Sequence, residues 1–151
     1  MKLTHGGDWA GYRAKFGHDA LDFSANVSPL GLPEGVAQAI VNALPTADRY
    51  PDPLCRELRQ KLSASENVHE NQILCGNGAA DLIFRIAACF RPKRALVPAP
   101  AFSEYERAVT AFGGIMQEHL LSEANGFALT EEFLNDITPE PGLVFLRTPN
   151  N

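Results

Sequence analysis

Residues 73–81 read Ile-Leu-Cys-Gly-Asn-Gly-Ala-Ala-Asp, and no other stretch restricts the fold so strongly. Ile73–Cys75 is a short apolar run that predicts a buried strand, and Leu82–Ala88 is apolar enough for a mostly buried helix. Between them stand Gly76 and Gly78, one residue apart. Strand, small-residue turn and helix is the arrangement that aims free backbone N–H groups at an anion. The glycines permit positive φ and a close approach of backbone to ligand. Ala79 and Ala80 leave the helix start uncluttered, so a phosphate could reach their amides. The stretch is not the dinucleotide pattern G-x-G-x-x-G, because residue 81 is Asp, and no Gly-Lys-Ser/Thr follows to make a P-loop. By itself it is equally a tight turn in an α/β sheet.

The 151 residues suffice for one domain with a core. A net charge of −5, scattered along the chain, argues against a nucleic-acid surface but not against a small anionic ligand, which needs only local donors. Cys55, Cys75 and Cys89 are an odd number without C-x-x-C spacing; Cys75 and Cys89 sit in apolar runs and read as small buried hydrophobes. Such thiols fit a reducing cytoplasm. No apolar run approaches membrane length and there is no N-terminal apolar leader, so a soluble cytoplasmic protein is expected, with neither membrane nor nucleic acid as partner. His18, His69 and His119 lack ligand-like spacing, and no metal site is indicated.

Taken in order, residues 1–7 form a glycine-rich arm. Asp8 caps a helix over Trp9–Phe16 that Gly17 ends. Leu21–Ser24 is extended and Ala25–Gly31 is a loop. Pro33 suits the first turn of a helix to about Leu44, with Val36, Ile40 and Leu44 on one stripe. Asp52-Pro53 opens the next helix, with Leu54, Leu58 and Leu62 inward. After Phe90, Arg94–Val97 is a strand closed by Pro98-Ala99-Pro100; Phe102–Phe112 is a helix ended by Gly113-Gly114; Ile115–Leu121 is a strand. Thr130 caps a short acidic helix to Asp136, and Leu143–Leu146 is a last strand. Strands alternating with helices from Ile73 onward predict parallel βαβ units and a sheet covered on both faces. Two parts are expected: an arm and helical small-domain part over 1–72, and an incomplete α/β domain over 73–151.

Three spaced stretches then fall into one pattern: Gly76-Asn77-Gly78-Ala79-Ala80-Asp81, Pro98-Ala99-Pro100-Ala101-Phe102-Ser103-Glu104-Tyr105, and Thr148-Pro149-Asn150-Asn151. Together they resemble the first half of a fold-type-I enzyme dependent on pyridoxal 5′-phosphate, of the histidinol-phosphate aminotransferase-like group. The resemblance implies the N-terminal part of an aspartate aminotransferase-like fold. The last stretch looks like the start of P-N-N-P-T-G, which implies an N-terminal piece of a larger protein. His5-Gly6-Gly7, Asp22–Asn26 and Pro29-Leu30-Gly31 are most similar to the threonine-phosphate decarboxylases of cobalamin synthesis. That implies decarboxylation of a small phosphorylated amino acid by a homodimer, with a histidinol-phosphate aminotransferase or a non-catalytic binding module as the alternatives.

The resemblance also implies roles. Gly78, Ala79 and Ala80 hold the cofactor phosphate; Phe102 stacks on the pyridine ring; Asn151 bonds the ring hydroxyl; Tyr50 reaches the phosphate of a cofactor held by the other subunit. Thr4, His5 and Asn26 line the pocket for the substrate's phosphate. Asn26-Val27-Ser28-Pro29 departs from relatives that carry a second Asn before the proline. The family's catalytic lysine has no counterpart here: Lys2, Lys15, Lys61 and Lys93 all lie in polar settings, and none reads as catalytic.

Overall fold

A computed structural model describes residues 6–139 and 142–148. It divides into two compact units, Met1–Ile73 and Leu74–Asn151. Among the described residues no helix is long and apolar enough to cross a membrane.

The first unit is helices and loops. Helix α1 (Trp9–Phe16) starts where the Asp8 carboxylate accepts the Gly11 amide at 3.1 Å, and ends at Gly17, whose φ of 75° closes it on the Arg13 carbonyl. Helix α2 (Val36–Ala43) begins three residues later than the proline predicts. Gly35 takes φ 79°, a left-handed conformation that keeps Pro33 outside the helix. A 3₁₀ turn, Leu44–Thr46, follows. Helix α3 (Arg56–Glu66) likewise starts late, because Cys55 has φ 48°. Leu54 therefore lies outside the helix and is exposed, contrary to its predicted inward place, and Leu58 is half-exposed. Asp52 is the organiser there: its carboxylate accepts from the Leu54 amide at 3.1 Å and from the Arg56 amide and guanidinium, each at 2.7 Å. The Arg59 guanidinium reaches the Glu70 carbonyl at 2.6 Å and so ties α3 to the 3₁₀ turn Glu70–Gln72.

The second unit is α/β. Helix α4 (Gly78–Phe90) leads into strand β1 (Arg94–Ala99), helix α5 (Glu104–Ala111), strand β2 (Ile115–Leu120), the short helix α6 (Phe133–Asp136) and strand β3 (Leu143–Val144). The sheet has the order β2-β1-β3 with both pairings parallel. Ala95 and Val97 of β1 face the helices, packing with Ile83 and Ala87 of α4, Ala108 and Val109 of α5, and Phe145. Leu96 is fully buried and by the pleat points to the opposite face. His119, paired with Pro98 in the register, shares that opposite face. There it meets α6: its Nδ1 lies 2.6 Å from the Asp136 carboxylate, and the buried Phe133 ring stands edge-on to it. Helices cover one face of the sheet and α6 the other.

Glycines fix the α5–β2 connection. The Gly113 amide bonds the Thr110 carbonyl and the Gly114 amide bonds the Val109 carbonyl, the paired closure of a Schellman motif. Gly113 has φ 82°, and a Cβ on Gly114 would stand 2.2 Å from the Pro92 carbonyl oxygen.

Several sequence expectations are corrected. Ile73–Cys75 is not a strand: among the described residues the sheet is β2-β1-β3 and the run pairs with none of its members. Leu74 is 64% exposed in consequence. Helix α4 buries only its Ile83–Ala87 face, and Cys89, on the outward side, is exposed rather than buried. Strand β1 runs through Pro98 instead of stopping at Val97. Strand β3 covers only Leu143–Val144 of the predicted four residues. Thr130 does not cap α6 with its hydroxyl; the Phe133, Leu134 and Asn135 amides instead close on the carbonyls of Thr130, Glu131 and Glu132.

Leu96→Ala should destabilise the second unit by about 2–5 kcal/mol in denaturant unfolding, as a buried leucine leaves a cavity. Leu74→Ala should move stability by no more than about 0.5 kcal/mol. A second expectation concerns acid. The Asp52 carboxyl lies below its ordinary value of 3.8 because the Arg56 and Leu54 amides, then the Arg56 charge, favour the ionised form. The unfolded chain then binds more protons than the folded one, so this stabilisation is full above pH 3.8 and lost as pH falls through the lower folded value. The protection factor of the Arg56 amide, the exchange rate in the unfolded chain divided by that in the folded chain at the same pH, should fall over that acid window and stay flat above it.

Candidate active site

Strands β1 and β2 end together, at Ala99 and Leu120, and β3 stops earlier, its Val144 level with Leu96 of β1. Helix α5 follows β1 and therefore starts at this carboxyl end. Helix α4 precedes β1 and runs back along it. Its 13 residues span about 20 Å, and the six residues of β1 span about 20 Å as well. The start of α4 thus reaches the same end of the sheet, where α/β proteins hold their ligands.

Gly76-Asn77-Gly78 makes the turn into α4. Gly78 has φ 78° with open space where a Cβ would stand, and its amide bonds the Gly76 carbonyl at 3.0 Å. A Cβ on Gly76 would meet Leu82 Cδ2 at 2.7 Å. Asn77, at the cap position, makes no side-chain cap bond. Ala79 and Ala80 occupy the first turn, where the amides have no carbonyl of their own helix to reach. Asp81 accepts the Asn77 amide on Oδ2 at 2.8 Å and the Arg85 Nε on Oδ1 at 2.8 Å. The turn amide first, and Arg85 after it, hold this carboxyl below the ordinary aspartate range.

Phe102 lies in the loop after β1, half-buried on the core, with Tyr105 edge-on at 6.2 Å. Tyr105 packs on Phe145 at 4.7 Å, and the Arg147 guanidinium lies over the Tyr105 ring at 5.9 Å. Arg147 Nη2 donates to the Pro100 carbonyl at 3.3 Å, joining the loop after β3 to the loop that carries Phe102. Ser103 Oγ is buried with no hydrogen-bond partner among the described residues.

Gly78, Ala79, Ala80 and Phe102 therefore stand at one end of the second unit. Tyr50 and Asn26 belong to the first unit, and both are exposed. Thr4, His5 and Asn151 lie outside the described residues. The segment just after His5 is held to the Asn26 loop: the Gly7 amide donates to Ser24 Oγ at 3.0 Å, and a Cβ on Gly6 would overlap the Ser24 carbonyl. Asp22 is the hub, accepting the Ser24 hydroxyl at 2.6 Å, the Ser24 amide at 2.7 Å and the Trp9 indole. Ser24 and then Trp9 are the chief donors that keep this carboxyl ionised below its ordinary value.

Sequence reasoning left the Asp81 role open and missed Asp22, Arg85 and Arg147. The i,i+4 spacing of Asp81 and Arg85 and the i,i+2 spacing of Asp22 and Ser24 were available signals. Arg147 had none, since its partners are 42 and 47 residues away by sequence number. Lys15 and Lys93 are exposed, and Lys61 bonds the Glu57 carboxylate at 2.7 Å, which raises its pKa and keeps it an ammonium. Among the described residues no group of His, Cys, Asp and Glu could hold a metal ion.

The chain is 41% identical over 131 residues to the threonine-phosphate decarboxylase of Salmonella typhimurium, covering 87% of the chain and 36% of that protein. It is similar to the crystal structure of L-threonine-O-3-phosphate decarboxylase from Porphyromonas gingivalis, with TM-score 0.61 and 30% identity over 76% of this chain and 33% of that one. The histidinol-phosphate aminotransferase of Sinorhizobium meliloti, solved in complex with pyridoxal-5′-phosphate, shares the fold, with TM-score 0.85 and 21% identity over 99% of this chain and 41% of that one. The chain spans about a third of the length of the curated relatives it matches. The profile of the aminotransferase class I and II family matches residues 18–151, and the chain belongs to that family.

Proposed function

We propose that this chain supplies the phosphate-binding turn and ring-stacking loop of a pyridoxal 5′-phosphate site, in an enzyme that decarboxylates L-threonine O-3-phosphate to an aminopropanol phosphate in cobalamin biosynthesis. The observation that carries the site is the Gly76–Ala80 turn, with two first-turn amides left for an anion at the carboxyl end of a parallel sheet. The substrate reading is supported by the 41% identity to a threonine-phosphate decarboxylase.

The residues present fit the cofactor. Gly76 leaves no room for a side chain, Gly78 adopts positive φ, and both alanines are small, so a phosphate approaches backbone alone. When bound, the cofactor supplies an electron sink for the pair left behind by the departing carboxyl carbon. The chain's own residues bind and orient. The Ala79 and Ala80 amides hold the phosphate; Phe102, braced edge-on by Tyr105, offers its face to the ring; Asn151 takes the ring hydroxyl. Thr4, His5 and Asn26 hold the substrate phosphate, a reading supported by the Asp22–Ser24 hub, which holds Gly7 beside the Asn26 loop. Tyr50, fully exposed in its own unit, serves the cofactor of a second copy, which makes the enzyme a homodimer. The two parts are an arm and small-domain part over 1–72 and a cofactor domain over 73–151. Three free cysteines support a reducing, cytoplasmic setting.

Two measurements test this reading. Ala80→Pro removes one donor at a helix position that tolerates proline. A charge-assisted bond of about 1.5–3 kcal/mol is lost, so pyridoxal phosphate should bind the enzyme about 10–100-fold more weakly in an absorbance titration. Unchanged affinity in a folded variant removes the phosphate assignment. For the substrate, His5→Ala should raise KM for L-threonine phosphate with kcat nearly unchanged, and leave turnover of unphosphorylated L-threonine unaffected. Preference for histidinol phosphate would move the assignment to an aminotransferase.

A further inference from the structure

Asp81 poses an electrostatic problem at this site. Its carboxylate stands in the first turns of α4, where the cofactor reading above places a phosphate. Both anions gain from the helix N-terminus, yet each repels the other. The structure separates them in two ways. First, they draw on different donors: Asp81 Oδ2 takes the Asn77 amide, outside the helix, and the Ala79 and Ala80 amides are not among its partners. Second, the other oxygen, Oδ1, is bonded by Arg85 Nε one turn further on, away from the turn. The carboxylate is thus a bridge between the glycine turn and the second turn of the helix. It also walls the turn, since a Cβ on Gly76 would stand 2.9 Å from Oδ2.

We propose that Asp81 and Arg85 are a pair of positioning residues for the cofactor phosphate: Asp81 pins the Gly76–Gly78 turn through the Asn77 amide, and Arg85 cancels the charge that this pin places beside the ligand. The proposal rests on the cofactor reading and adds to it a division of labour between two side chains that do not touch the ligand. The depressed pKa of Asp81 agrees, because an ionised carboxylate is what both bonds require.

The test uses the isotope-labelled chain and pyridoxamine 5′-phosphate, whose amine cannot form an imine with a lysine, with pyridoxamine as the phosphate-free control. Binding is read from the shifts of the Ala79 and Ala80 amides, and the pin from hydrogen exchange at the Asn77 amide. Asp81→Ala should expose the Asn77 amide to exchange and weaken binding about tenfold. Asp81→Asn keeps an acceptor and should retain affinity within about threefold. Arg85→Gln, on an exposed side chain that leaves the pin in place, should weaken binding about threefold at low salt and hardly at all near ~0.5 M salt. The double variant Asp81→Asn/Arg85→Gln should recover most of that loss, because no charge remains to be cancelled; a purely structural role for Arg85 predicts no recovery. Binding by the unaltered chain with equal affinity in all four variants would overturn this proposal and leave the cofactor site standing. No response of the Ala79 and Ala80 amides in the unaltered chain would overturn the cofactor site and this proposal with it.

Discussion

Strand β1 bonds along both edges, alternating residue by residue. The carbonyls of Lys93 and Ala99 accept from Ile115 and Leu121 on the β2 side, and those of Arg94 and Leu96 accept from Gly142 and Phe145 on the β3 side. Because a parallel strand sends its N–H and C=O to the same edge, residue 98 faces β3 with whatever donor it has. Proline has none, and the β3 ladder stops after Val144. With no donor at residue 98, the last bond on this side among the described residues is the one from the Phe145 amide to the Leu96 carbonyl, three residues before β1 ends. Phe145 packs into the core with Val97, and beyond it Arg147 reaches the Pro100 carbonyl. The loop geometry at the carboxyl end of the sheet is a consequence of where β1 can and cannot pair.

The features legible in the sequence were those decided within a few residues. Asp8 and Gly17 bracket α1 as read, and the Gly113-Gly114 pair ends α5 as read, because caps depend on one carboxylate or one positive φ. The parallel α/β class was legible from alternating elements, and the family resemblance from spaced motifs. What failed depended on partners elsewhere. Ile73–Cys75 has the composition of a strand, but a strand exists only where a ladder receives it. Leu54 sits on the right stripe for α3, yet the left-handed Cys55 puts it before the helix. Proline at 98 looked like a terminator, whereas its missing donor faces an edge that no longer needs one.

At the site the same division holds. Small residues around Gly76 and Gly78 announce a backbone approach, and a lone sequence suffices to see it. Arg147 does not announce itself. It meets Tyr105 only because β1 and β3 lie side by side, which brings the first turn of α5 and the segment after β3 into one aromatic and cationic stack. Tyr105, edge-on at 6.2 Å, braces Phe102, and Tyr105 is itself packed by Phe145 and Arg147, which lie outside the motif stretches.

The net charge of −5, taken as a sum, is a poor match for a site built around phosphate. The conflict disappears when the acids are followed individually. Asp22, Asp52 and Asp81 each hold a depressed pKa, and each spends its lone pairs on nearby donors: Ser24 and Trp9 for the first, the Leu54 and Arg56 amides for the second, Asn77 and Arg85 for the third. Their charges are consumed in shaping turns and helix starts. Charge fields fall off within about 10 Å at ordinary salt, so an incoming phosphate responds to the first turn of α4 and to the local pairing of Asp81, rather than to the sum over the chain. A chain that is acidic in total can thus hold an anion, provided that each acid near the site already has a partner.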